Sequence, residues 1–182
     1  MTAMKWLILL SYLMVMAFRL WLRRLNLEYL ARHGHEVPRA FKDCIDQELL
    51  QRTSEYTLAN SRVALVESLF SSLFLLLFLF GGLLGSYDAW IDRLSGSFIV
   101  QGVLFVLGLS LVLTLLDIPF SLYRTFVLEE RFQFNTSTPR IWVTDLVKSL
   151  LIGTVLLSLV TAGALAIVQA SPDYWWLWVW GF

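Results

Sequence analysis

Apolar residues in this chain fall into long blocks separated by charged stretches. Residues 4–22 carry only Lys5 and Arg19 as charges, residues 63–85 only Glu67, residues 98–117 only the terminal Asp117, and residues 146–168 only Lys148. A helix needs about 20 apolar residues to cross a bilayer, so the pattern predicts four spans. Asp117 and Pro119 are expected to close the third. A fifth block, YWWLWVWGF, opens at Tyr174 and has run nine residues at Phe182. Nine residues rise about 14 Å, roughly half a hydrocarbon core. Its four Trp resemble the aromatic belt where a span begins, so it is read as the start of a fifth span in a longer protein.

The stretches between blocks carry their own patterns. After Pro38, apolar Phe41, Cys44, Ile45 and Leu49 recur at helical spacing among Lys42, Asp43, Asp46 and Glu48, which predicts an amphipathic helix. Residues 116–150 form a charged, aromatic-rich connection of about thirty residues. Two bilayer helices need far less, and long loops are uncommon unless functional. Near its end Thr138-Pro139 matches an N-cap and first helical position, so the fourth helix should begin there.

Composition agrees with a membrane protein: 58% of the 182 residues are hydrophobic and 15% charged, against about 25% charged in soluble domains. Net charge is zero, which gives nucleic acid no general attraction. The single cysteine, Cys44, excludes an internal disulfide and a cysteine-rich metal site. Eight of fourteen cations lie in residues 19–62 and four more in residues 118–148. By the positive-inside rule both loops are cytoplasmic and the N-terminus is outside. The first block keeps bulky Trp21 and Leu22 before Arg23 and Arg24. With no small-residue cleavage site, it is a retained anchor rather than a signal peptide.

Few residues suggest chemistry. His33 and His35 flank Gly34 and are the only histidines, too few for the three or four ligands zinc usually takes, so a solvated turn is expected. Glu67 and Asp117 are the acids nearest the hydrocarbon. Such acids are costly and face a partner or a cavity, with Arg62 and Arg124 near enough in sequence to pair with them. Glu129 and Glu130 are adjacent, so on a helix they diverge by about 100° and cannot easily serve one site. They are read as charges that fix the loop, with Arg124 and Arg131. Asn135-Thr136-Ser137 matches a glycosylation acceptor but lies on the predicted cytoplasmic side. There is no H-E-x-x-H, no Gly-rich phosphate loop and no Ser-His-Asp set.

One segment carries a specific resemblance. Asp117, Pro119, Ser121, Tyr123, Phe126, Val127, Glu129, Glu130, Phe134 and Asn135, followed by Trp142, Asp145 and Lys148, resemble a loop of the type I CaaX prenyl endopeptidases, integral-membrane zinc metalloproteases. Glu48, Arg52, Thr53 and Tyr56 are similar to a shorter motif ahead of that family's second span. Three positions depart from the pattern. Gln133 stands for a Gly, so a turn using positive φ must be built otherwise; Arg131 stands for Lys, and Ser54 for Arg. The family's zinc-binding H-E-x-x-H and distal Glu match no residue here.

The expected fold is an all-α polytopic transmembrane helix bundle: four full spans plus the start of a fifth, N-terminus outside, with two helical cytoplasmic loops. The resemblance implies the chamber-forming N-terminal domain of a zinc metalloendopeptidase, residues 1–182 supplying four staves of a helical ring and part of a fifth. It further implies Zn²⁺ held in a cytosolic protease domain outside this chain, and a prenylated or other membrane-associated peptide as substrate. The motif loop would sit at the substrate entrance, with Glu67, Gln101 and Asp117 facing the chamber. The membrane would be a bacterial inner membrane or one of endoplasmic-reticulum type. The alternative is a stand-alone, non-catalytic membrane scaffold or lipid-binding protein.

Overall fold

A computed structural model of the chain describes residues 2–34 and 46–181. Among these the structure is all helical: α1 (Thr2–His33), α2 (Gln47–Phe80), α3 (Leu83–Asp92), α4 (Phe98–Tyr123), a π-helical turn (Arg124–Glu129), α5 (Pro139–Ala170) and α6 (Trp175–Gly181). Four helices are long and apolar enough to span a membrane: Ala3–His33, Gln47–Phe80, Phe98–Glu129 and Pro139–Ala170. The amphipathic segment after Pro38, with Cys44 and His35, lies mostly outside the described residues.

The helices run past the apolar blocks because charged residues hydrogen-bond their backbones as well as apolar ones do; only the lipid-facing stretch must be apolar. Thus α1 continues eleven residues beyond Leu22 to His33. Its last turn stacks the His33 ring on Tyr29 at 4.4 Å, and Gly34 forms the turn after it. The third span does not stop at Asp117 and Pro119. Pro119 sits inside α4, since loss of one N–H is tolerated where neighbouring backbone adjusts. The chain stays helical to Glu129, so the supposed thirty-residue loop shrinks to a short irregular link before Pro139. At its far end Thr138 caps α5, its hydroxyl accepting from the Ile141 amide at 3.3 Å.

Two compact units are present. The first takes the described residues up to Leu65 together with Val127–Phe134. Ser54 on α2, almost fully buried, donates its hydroxyl to the Gly34 carbonyl and ties the end of α1 to the start of α2. Leu128 is buried in the same unit.

The second unit holds Val66–Phe126 and Asn135–Phe182. Here α2 ends at Phe80 rather than at residue 85, because Gly82 takes φ +84°, a backbone that glycine adopts without strain. The chain then re-enters a helix that the hydropathy pattern does not announce, α3. Tyr87 on α3 nests among Phe78, Trp90 and Phe105, with ring centroids 6.1, 6.1 and 4.8 Å away. Its hydroxyl donates to the Phe105 carbonyl at 2.8 Å. Burial pushes this phenol above its ordinary range, so it remains a neutral donor. Ile91 and Phe78 complete this small core, and α4 packs along α5 beside it.

Candidate functional site

The motif residues gather in two places, one in each unit. In the first, Arg52 on α2 contacts Glu48 one turn earlier at 3.4 Å and reaches the Gln133 side-chain oxygen at 3.4 Å. One turn on, Tyr56 meets Phe132 and Phe134 edge-on, with centroids 5.7 and 5.1 Å away. Such T-shaped pairs are each worth about 0.5–1.5 kcal/mol beyond area burial. Spacing of four places Arg52 and Tyr56 on one helix face, so two motifs some eighty residues apart in sequence form one cluster.

The turn itself is closed by backbone: the Gln133 amide donates to the Glu130 carbonyl at 3.1 Å and the Phe134 amide to the Glu129 carbonyl at 2.8 Å. Gln133 holds φ +59°. The expectation that the turn must be built otherwise is therefore corrected. The left-handed geometry is kept and the glutamine bears its cost, about 1–2 kcal/mol for a residue with a Cβ. Gln133→Gly is expected to raise stability by about 0.5–1 kcal/mol, because the exposed Arg52 contact it gives up is worth little. Thermal unfolding in detergent measures this, and a destabilised variant would show that the Arg52 contact outweighs the strain.

The second cluster lies where α2, α4 and the π turn meet within the other unit. Arg124 pairs with Glu67 at 2.5 Å, and both side chains are about one-third exposed. The Asp117 carboxyl lies within hydrogen-bonding reach of Glu67 and in Coulombic range of Arg124. Phe70 packs on Phe120 at 5.7 Å, and the Trp142 indole N–H donates to the Ser121 hydroxyl at 3.1 Å. Asp117 and Phe120 on α4 and Arg124 at the start of the π turn recur at three- and four-residue spacing, which explains why one helix edge meets both Glu67 and Phe70. Asn135 accepts from the Ser137 amide at 2.8 Å. Tyr123, Asp145 and Lys148 are exposed, and Phe126 is half-buried.

Gln101 is not part of this cluster. It precedes Asp117 by sixteen residues, about 24 Å of helix, and its amide donates to the Ser95 carbonyl at 2.7 Å. A cavity of about 420 Å³ opens between α3, α4 and α5, lined by leucines with Ser110, Thr114, Ser149 and Gly153, and it contains none of Glu67, Gln101 and Asp117. Among the described residues no three His, Cys, Asp or Glu side chains are grouped to hold a metal. The zinc implied by the resemblance therefore has no fitting site in them. Sequence reasoning missed α3 and the role of Tyr87; a signal was present in the Gly81-Gly82 pair, which announces a break.

These features define a polytopic helical membrane domain. The family model of the CAAX prenyl protease N-terminal domain, described as five membrane helices, matches residues 26–182, and the chain belongs to that family. A Schizosaccharomyces pombe protein named "Probable CAAX prenyl protease 1" is 32% identical over 178 residues, covering 91% of this chain and 37% of that protein. The Mus musculus "CAAX prenyl protease 1 homolog" is 30% identical over 160 residues, covering 80% and 32%. The crystal structure of S. mikatae Ste24p superimposes with a TM-score of 0.81 at 25% identity, over 92% of this chain and 40% of that one. The chain thus spans between 32% and 40% of the length of these relatives.

Proposed function

We propose that this domain forms the membrane-embedded chamber wall of a CAAX prenyl-protease-like zinc metalloendopeptidase and performs no bond cleavage itself. Peptide hydrolysis and Zn²⁺ binding belong to a protease domain outside these residues, on the cytosolic side. The substrate is a prenylated or otherwise membrane-associated peptide. Loops 19–62 and 118–148 face the cytosol, as the clustering of twelve cations on one side supports. Glu67 and Asp117, held by Arg124, present polar groups to the chamber. Asp117, Pro119, Ser121, Tyr123, Phe126, Glu129, Glu130, Phe134, Asn135, Trp142, Asp145 and Lys148 shape the cytosolic entrance.

The observation that supports this most directly is the meeting of Arg52 and Tyr56 with Phe132–Phe134. Both partners are family-motif segments, and their contact braces the segment assigned to the entrance. The test is complementation. The chain is co-expressed with the remaining two-thirds of the S. pombe relative, and cleavage of a farnesylated CAAX peptide is followed in membranes. Cleavage that needs both pieces is expected, with none from this chain alone. Full activity of the other piece without this chain would remove the proposed role.

A further inference from the structure

We propose that Arg19 and Arg23 of α1 form a binding site for the phosphate-bearing headgroup of an anionic membrane lipid. The depth of these residues comes first. Lys5 and Arg23 are eighteen residues apart on one continuous helix, about 27 Å of rise, against a hydrocarbon core of about 30 Å. Trp6 and Trp21, both exposed, mark the same two levels, since indoles collect at the membrane interfaces. Arg19 and Arg23 therefore bracket the inner Trp at headgroup height. Arg19 lies within reach of that height because its long stem runs along the apolar helix surface.

The arginines of α1 are not equivalent. Residues four apart lie about 40° apart around a helix, so Arg24, Glu28 and Arg32 share one stripe and Arg19 and Arg23 share another. On the first stripe Glu28 pairs with Arg24 at 2.8 Å and also feels Arg32. On the second there is no acid: the neighbours one turn away are Val15, Met16, Leu20, Leu22, Asn26 and Leu27. The Arg23 Nη1 is shielded from solvent and has no hydrogen-bond partner. A shielded guanidinium N–H without an acceptor is costly; turning the long side chain out to the headgroups exchanges that cost for a phosphate oxygen, the acceptor its planar fork fits best. On the orientation proposed above this end of α1 meets the cytoplasmic leaflet, where anionic phosphatidylserine and phosphatidylinositol concentrate. A lipid supplies the phosphate at the depth where Arg23 waits; a free ion in bulk water does not.

The test titrates phosphatidylserine, phosphatidylcholine of the same chain length, or inorganic phosphate into the purified chain in neutral detergent and follows the unfolding temperature. Phosphatidylserine is expected to raise it saturably, and the other two are not. Each arginine contributes about fivefold in affinity at such a surface, so R19Q/R23Q is expected to need about 25-fold more lipid. R19K/R23K, which keeps the charge but not the planar fork, should fall between the wild type and the glutamine variant, and K5Q, at the other interface, should keep all of the response. If the glutamine variant does not fold, native mass spectrometry of the wild-type chain from mixed micelles reads retention of phosphatidylserine over phosphatidylcholine directly. An undiminished response in R19Q/R23Q, or an equal response to phosphatidylcholine, would overturn the proposal. A shift reproduced by inorganic phosphate would also overturn it, by assigning the site to a free anion.

Discussion

Arg124→Ala is expected to lower the stability of the domain by about 3 kcal/mol, the least that breaking a fully buried ion pair costs, since this pair is partly buried. Arg124 is placed against two acids: it bonds Glu67 at 2.5 Å and lies in Coulombic range of Asp117, which itself reaches Glu67. Without it two carboxyl groups face each other near the end of a membrane helix, where uncompensated acids are costly. Glu67→Ala should cost less, about 1–2 kcal/mol, because Asp117 remains to receive the guanidinium. Thermal unfolding in detergent reads both, the first as a drop of roughly 6–12 °C for a domain of this size. Equal losses from the two variants would mean that Asp117 takes no share of the cation, and a loss below about 1 kcal/mol in Arg124→Ala would reduce the pair to a surface contact.

The second large effect concerns Gly108. A Cβ there would fall inside van der Waals contact of the Tyr87 hydroxyl, whose hydrogen bond to the Phe105 carbonyl locks α3 onto α4. Gly108→Ala must displace that hydroxyl. Overpacking costs about 1–3 kcal/mol and the lost hydrogen bond about 1 kcal/mol, while alanine returns about 0.5–1 kcal/mol in helix propensity. The net loss expected is about 2 kcal/mol. Tyr87→Phe alone should lose about 1 kcal/mol, yet added to Gly108→Ala it should cost nothing further and restore part of the stability. A double-mutant cycle in detergent decides the matter, since additive losses would show that α3 is held by its ring contacts and not by this close approach.

Legibility of the chain followed the kind of physical constraint at each position. The spans were legible because lipid solvation demands contiguous apolar residues. Their ends were less so: α1 outruns its apolar block by eleven residues and α4 continues through Pro119, since helix formation does not end where lipid does. The N-cap at Thr138 is legible because one hydroxyl answers one amide three residues on. For Gln133 the substitution was visible, but its consequence was not. Backbone geometry is set by the closing bonds from Glu129 and Glu130, and these can hold a glutamine at φ +59°.

By itself the sequence determined that the chain crosses a membrane as a bundle of helices, that it belongs with a protease family through residues 116–149, and that it lacks that family's zinc motif. Those properties rest on composition and local pattern, which survive without knowing what touches what. Only the tertiary structure decided that Arg52 and Tyr56 meet the turn at 132–134, and that Arg124 serves Glu67 while Gln101 is spent on its own loop. It also separated the paired Arg24 from the unpaired Arg23 on α1. Contacts between residues eighty positions apart depend on how helices pack, and packing is a property of shapes in space that no window along the chain contains.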